Sequence, residues 1–257
     1  MKQALLLTLL WSSLSRAQRP DPVEIERMTH AEIFDAIHKQ GKTTVLIFNG
    51  GTEQRGPHAV LGGHTFMARS TAEAIARRLG NALVAPVLPF SPAGSHLNAK
   101  RPGSVDVTPE LYAKINEAVV ASMVTNGFRH IVLMGDHGGG QQELASLAGA
   151  LDKRYAPQGV RVYFCGSVYE KARVDFNAWL KQHNLPVGTH ASIPDTSELM
   201  YLGAEEYVRK ARIENGNAEN GVVGDPRPSS PELGRRVFDM KVDYGVEEIR
   251  RLIAQKP

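Results

Sequence analysis

The sequence predicts an α/β fold of three layers: a mostly parallel sheet flanked by helices. Three observations predict it. Short, nearly continuous apolar runs at residues 44–48, 130–134 and 160–165 have the length of strands. Stretches with helical spacing, such as 65–79 and 141–155, alternate with them. The apolar runs lack the strict polar–apolar alternation of a half-solvated strand, so the sheet should be covered on both faces.

The elements follow in order. Thr29 and Glu32 have capping-box spacing, Ile33, Phe34 and Ile37 share one helical face, and Gly41 suits a C-terminal stop. The β-branched run 44–48 reads as a buried strand. Residues 65–79 read as a helix ended by Gly80, and 82–88 as a second strand. Thr108 caps a helix that starts with Pro109, a residue favoured in a first turn, and runs toward Asn126-Gly127. A strand at 130–134, a helix at 141–155 and a strand at 160–165 follow. Residues 168–183 and 196–210 read as helices, and 246–254 as a closing amphipathic helix. The long irregular stretch is 215–231, rich in Gly, Asn and Pro.

The chain has 257 residues, enough for one domain with an ample core. Hydrophobic content of 42% and charged content of 22% are those of a globular protein. The net charge of +3 is scattered, with no basic run interleaved with aromatics, so nucleic acid is not an expected partner. Lys2, the apolar run 4–11 and Ser15-Arg16-Ala17 have the layout of a secretory signal peptide, residues 1–17. A periplasmic or secreted protein of residues 18–257 is therefore expected. No apolar run is long enough to span a membrane after cleavage. Cys165 is the only cysteine and lies in an apolar run, so it reads as a small buried hydrophobe.

In open parallel sheets, sites form beyond the carboxyl ends of strands. Two segments dense in Gly, His and carboxylates lie there: Gly50 to His64, and Gly135-Asp136-His137-Gly138-Gly139-Gly140. A third runs from Thr189 to Glu198. Five of the nine histidines lie in or beside these loops, counting His96. Two histidines and a carboxylate can hold a divalent cation with positions left for water or substrate. Spacing alone is weak support, because no helical H-E-x-x-H is present. The Gly-Lys-Ser/Thr ending of a P-loop, a G-x-G-x-x-G after the first strand and a G-x-S-x-G elbow are also absent.

Five motifs in order resemble those of the creatininase family. They are Thr52-Glu53-Gln54-x-Gly56-Pro57-His58, Arg101-Pro102-Gly103-Ser104, Gly135-Asp136-His137-Gly138-Gly139, His190-Ala191 with Asp195-Thr196-Ser197, and Gly221-Val222-Val223-Gly224-Asp225-Pro226. The resemblance implies an α/β fold with a metal centre at strand ends, hydrolysis of a cyclic or non-peptide amide in a small molecule, and a homo-oligomer, often a hexamer. It also implies that Glu53 and His137 are metal ligands.

The sequence departs from the family's pattern twice. Arg55 stands at a ligand histidine position, and His64 at that of a bridging aspartate. A neutral imidazole offers one lone pair and cannot bridge two cations; a guanidinium has donors only and cannot ligate. The consistent reading is one divalent metal per chain (Zn, Mn or Fe), held by Glu53, His64 and His137, with Arg55 replacing a second cation. Arg55 could instead bind a substrate carboxylate. His190 is the candidate proton shuttle. Asp195 could orient His190, act as base, complete the metal shell or cap a helix. Gly138 and Gly139 offer backbone N–H groups for an oxyanion. Asp136 is expected to fix the tautomer of a nearby histidine, and His58 to be a hydrogen-bonded loop residue. Two other readings stay open: a catalytically inactive member acting in binding or assembly, and a non-haem iron oxygenase, which shares the two-His, one-carboxylate ligand set.

Overall fold

The computed structural model describes residues 21–255. Four parallel strands form the sheet: β1 (Thr44–Asn49), β2 (Ala82–Val84), β3 (His130–Gly135) and β4 (Arg161–Phe164), in the order β2-β1-β3-β4. Every residue of β1 is buried, as the continuous apolar run requires of a central strand. β2 is shorter than residues 82–88 because Pro86 cannot donate to a ladder. Beyond β2 the Ala85 N–H donates to the Leu46 carbonyl and an isolated bridge pairs Leu88 with Asn49.

The helices are α1 (His30–His38), α2 (Gly63–Leu79), α3 (Pro109–Thr125), α4 (Gln141–Tyr155), α5 (Glu170–Gln182), α6 (Ile193–Tyr207) and α7 (Pro231–Ala254). α3 and α4 pack together, as do α2 and α7, and the sheet lies between helices. The predicted caps form. The Thr29 side chain accepts from the Glu32 N–H while the Glu32 carboxylate accepts from the Thr29 N–H, and the Thr108 hydroxyl accepts from the Leu111 N–H. The core joins Leu46 and Phe48 of β1, Ile131 and Leu133 of β3, and Ile75 of α2, all essentially without exposed surface. Each such side chain stabilises by about 1.5–3 kcal/mol relative to exposure.

Three helix bounds that differ from the sequence reading bear on the site. α2 begins at Gly63, so His64 lies on its first turn. α6 begins at Ile193 and ends at Tyr207, with a break in helical geometry at Gly203. α7 is far longer than 246–254: Ser230 caps it, accepting from the Leu233 N–H, and Pro231 opens it. Gly234 lets α7 approach α6, since a Cβ there would lie 1.8 Å from the Ser197 carbonyl oxygen. The leader at 1–17 lies outside the described residues. No helix among the described residues is long and apolar enough to cross a membrane.

β1 and β3 run in step from Thr44↔His130 to Asn49↔Gly135. Asn49 fixes that end of the sheet, its amide donating to the Met134 carbonyl (3.1 Å) and to Asn116 Oδ1 (3.0 Å). The loops that follow the two strands therefore start side by side.

Candidate metal centre

The loop after β1 is tied back by the Glu53 N–H, which donates to the Leu61 carbonyl (3.0 Å), and by the Thr52 hydroxyl, which donates to the Pro89 carbonyl (2.9 Å). β3 runs straight into Asp136 and His137. Glu53 Oε1 consequently lies 3.0 Å from His64 Nε2, and Glu53 Oε2 lies 2.8 Å from His137 Nε2. One ligand atom from each of Glu53, His64 and His137 lies within 4.8 Å of the others, and all three residues are buried. The fold thus brings together the three residues that the sequence reading chose as ligands.

The donor set fits a cation. His64 Nδ1 lies 3.0 Å from Asp136 Oδ2, and a carboxylate oxygen accepts, so that nitrogen carries the proton. This leaves the Nε2 lone pair facing Glu53 Oε1. Two lone pairs at that distance repel unless a proton or a metal lies between them. The carboxylates on both sides raise the affinity of His64 for a proton, against burial and the charge of Arg55. A divalent cation competes with that proton for the same lone pair. His137 Nδ1 faces both polar groups of Gly139, the N–H at 2.9 Å and the carbonyl at 3.3 Å, so either tautomer has a partner. Burial resists ionisation of Glu53, but hydrogen bonds from His137 and His64 and the charges of His64 and Arg55 hold its carboxyl well below the usual range.

Glu53 is also the centre of a second cluster. His96 Nε2 lies 3.4 Å from Oε2 and His190 Nδ1 3.5 Å from Oε1, and the two rings stack with centroids 4.3 Å apart. Glu53, His96 and His190 also meet the spacing of a metal site. The Arg55 guanidinium lies 3.4 Å from Glu53 Oε1, the oxygen that faces both His64 and His190, so its charge acts on both clusters and opposes filling them together. His190 Nε2 lies 2.7 Å from the Gln54 carbonyl oxygen. A carbonyl only accepts, so the neutral ring carries its proton there and turns the Nδ1 lone pair toward Glu53 Oε1. Burial and the charge of Arg55 hold the His190 imidazole neutral down to about 4. The sequence motifs assign His96 no role; it sits on a short turn at Gly94–His96 that no periodic pattern announces.

The remaining site residues fall into place around these. Arg55 has no exposed surface and also meets Asp195 Oδ2 at 2.7 Å. Asp195 accepts from the Ala191 N–H (2.8 Å) and lies in the first turn of α6 rather than at its cap, which is Ser192. His58 donates through Nε2 to Thr196 Oγ1 (2.9 Å), whose hydroxyl donates onward to the Ala191 carbonyl, a buried loop contact away from the ligands. Asp136 Oδ2 faces His64 Nδ1. Sequence reasoning missed what stands behind it: Lys241 of α7, buried, pairs with Asp136 and with Glu198 Oε2 (2.9 Å). Burial and the Asp136 charge push the Glu198 carboxyl up to about 7, against the pull of Lys241.

Glu53, His64, His96, Asp136, His137, His190, Asp195, Glu198 and Lys241 line a cavity of about 360 Å³ that also includes Gly138, Gly139, Tyr169 and Arg173, while Arg55 and His58 lie behind its wall. The Gly139 N–H is free for an oxyanion only in the tautomer that carries the proton on His137 Nδ1, which is also the one that leaves Nε2 able to ligate. Gly139 is required for another reason: a Cβ would lie 1.9 Å from the Pro92 carbonyl oxygen.

The creatininase (creatinine amidohydrolase) family model matches residues 26–249. The chain belongs to the creatininase family. It is 25% identical over 247 residues to the mycofactocin precursor peptide peptidase of Mycobacterium tuberculosis, covering 82% of this chain and 86% of that protein. It is 29% identical over 121 residues to the 3-dehydro-scyllo-inosose hydrolase of Thermotoga maritima, a match spanning 47% of this chain but 38% of that relative. A crystal structure of creatinine amidohydrolase superposes with a TM-score of 0.75 at 18% identity, covering 92% of this chain and all of that one. Manganese and Zn–Zn forms of creatininase also give TM-scores of 0.75. The three-layer parallel fold of this creatininase-family chain is that of these structures.

Proposed function

We propose that this creatininase-family protein is a metal-dependent hydrolase that cleaves a cyclic or non-peptide amide in a small molecule. The observation that carries the reading is the convergence of Glu53, His64 and His137 on one point in a cavity at the ends of β1 and β3. A divalent cation held there supplies activated water and polarises a carbonyl. Names among the relatives support hydrolysis, and the manganese and zinc forms of creatininase support those metals.

The chain's own residues do the rest. Asp136 orients His64 through Nδ1–H, backed by Lys241. Arg55 balances the charge of Glu53 and Asp195 where a second cation would otherwise sit. His190, its Nε2–H fixed on the Gln54 carbonyl, presents Nδ1 to take a proton and return it to the leaving nitrogen. One metal per chain is the proposed count, because the two ligand groups share Glu53 and the charge of Arg55 beside it disfavours two cations.

The test is a screen of lactams, cyclic ureides, formamides and linear amides against protein loaded with Mn²⁺ or Zn²⁺, reading amine release. Turnover that a chelator abolishes supports the reading. Metal binding with no turnover favours the inactive binding or assembly protein suggested by Arg55 and His64. Export is proposed from the leader-like first 17 residues, and N-terminal sequencing of the secreted or periplasmic protein should begin near Gln18. A hexameric assembly is proposed from the family resemblance, and light scattering would measure it.

A further inference from the structure

We propose that Tyr169 and Arg173, on the wall formed by the start of α5, are a carboxylate-binding subsite, so that the amide accepted here belongs to a small carboxylic acid. Arg55 is committed to Glu53 and Asp195, and Lys241 to Asp136 and Glu198. Arg173 also lines the cavity, yet among the described residues no carboxylate lies within 4.0 Å of its guanidinium. Its Nε is buried with no hydrogen-bond partner. A buried donor left this way costs free energy that a ligand recovers.

The neighbours define the ligand. The Arg173 guanidinium lies over the Tyr169 ring, 5.6 Å from its centroid, which limits its freedom. The Tyr169 hydroxyl reaches toward Gly138 in the loop that carries His137; a Cβ at Gly138 would lie 3.1 Å from it. Tyr169 and Arg173 are one helical turn apart, and the Arg173 N–H donates to the Tyr169 carbonyl (3.0 Å). One guanidinium edge offers two parallel N–H donors, matching the two oxygens of a carboxylate, and a phenol adds a third donor. A phosphate of about −1.5 to −2 charge would call for a second uncommitted cation, and none lines the cavity among the described residues.

Charge around the cavity agrees. Glu53, Asp136, Asp195 and Glu198 face Lys241 and Arg173, with Arg55 behind them. A divalent cation turns this slight negative excess positive, so an anionic substrate is attracted once the metal is bound.

The subsite rests on the hydrolase reading for the position of the amide, but anchoring is a binding property and is tested as one. N-acetylglycine and N-acetylglycinamide differ only in the carboxylate. Titration calorimetry of the Zn²⁺-loaded protein should show the acid binding roughly tenfold or more tightly than the amide. Arg173→Gln should bring that ratio close to one, Arg173→Lys should keep part of it, and Tyr169→Phe should lower it severalfold. Thermal melts identify any variant that fails to fold. Equal binding of acid and amide by the parent overturns the proposal, as does a ratio unchanged in Arg173→Gln. Inorganic phosphate binding as tightly as N-acetylglycine would make this a general anion site and also overturn it. Carboxylate preference without hydrolysis of any amide leaves the subsite standing and removes the hydrolase reading instead.

Discussion

Arg55 Nη2 lies 2.7 Å from Asp195 Oδ2, and none of the arginine side chain is exposed. Its other end approaches Glu53. Arg55→Ala should therefore leave two carboxylates without their countercharge, at a cost on the order of 3 kcal/mol, limited because Asp195 reaches cavity water. Thermal melts should fall accordingly. Metal content should stay near that of the parent, while amide hydrolysis should drop, because Glu53, His64 and His137 remain.

Lys241 lies between Asp136 and Glu198 in the interior. Lys241→Met removes the one cation between two buried carboxylates and should destabilise by about 3–5 kcal/mol. It should also weaken metal binding by roughly 10–100-fold, because Asp136 then no longer holds His64 firmly. Denaturant titration and metal titration read the two effects separately.

Glu198 gives a pH signature with a defined sign. Its carboxyl is raised from 4.5 to about 7, so in that window the native state binds more protons than the unfolded chain. Stability from this group is complete below the unfolded value and lost as pH rises through the folded one. Relative to Glu198→Gln, the parent should lose stability between pH 4.5 and pH 7. Urea titrations of both proteins at several pH values check it, and parallel curves would remove the assignment.

His190 holds its proton on the Gln54 carbonyl and keeps Nδ1 toward the cavity. His190→Gln should lower kcat by about 10²–10⁴, with metal content unchanged. A matching loss of metal would show that His190 is a ligand through the cluster it forms with Glu53 and His96.

Gly139→Ala places a methyl where the Pro92 carbonyl oxygen lies 1.9 Å away. The loop must shift, at about 1–3 kcal/mol, and His137 must move with it. Loss of stability together with loss of metal affinity is expected in calorimetry.

Much of this was legible in the sequence for physical reasons. Buried strands such as β1 and β3 need continuous apolar runs, and a strand's end followed by Gly, His and carboxylate is where a site can form. The capping box at Thr29 and the Thr108-Pro109 start are local chemistry, so they could be read locally. What was missed depends on tertiary approach. The part of α7 before Val246 carries Gly234, Lys241 and Gly245, which weaken an apolar periodicity; they are there for close packing and for a buried ion pair. Nothing local in the sequence therefore marks Lys241 as buried. Arg55 could be recognised as unable to ligate, but its pairing with Asp195, 140 positions away, needs the fold. Likewise His96 could not be joined to His190 from spacing alone.

The central claim is that Glu53, His64 and His137 hold one catalytic divalent cation. Metal-stripped protein should be titrated with Zn²⁺ and with Mn²⁺ by calorimetry, beside Glu53→Gln, His64→Ala and His137→Ala, with amide hydrolysis followed at each point. The account predicts about one tightly bound metal per chain, activity that rises with its occupancy, and loss of that binding in all three variants. Two tight metals per chain, or unchanged binding in His64→Ala and His137→Ala, would contradict it.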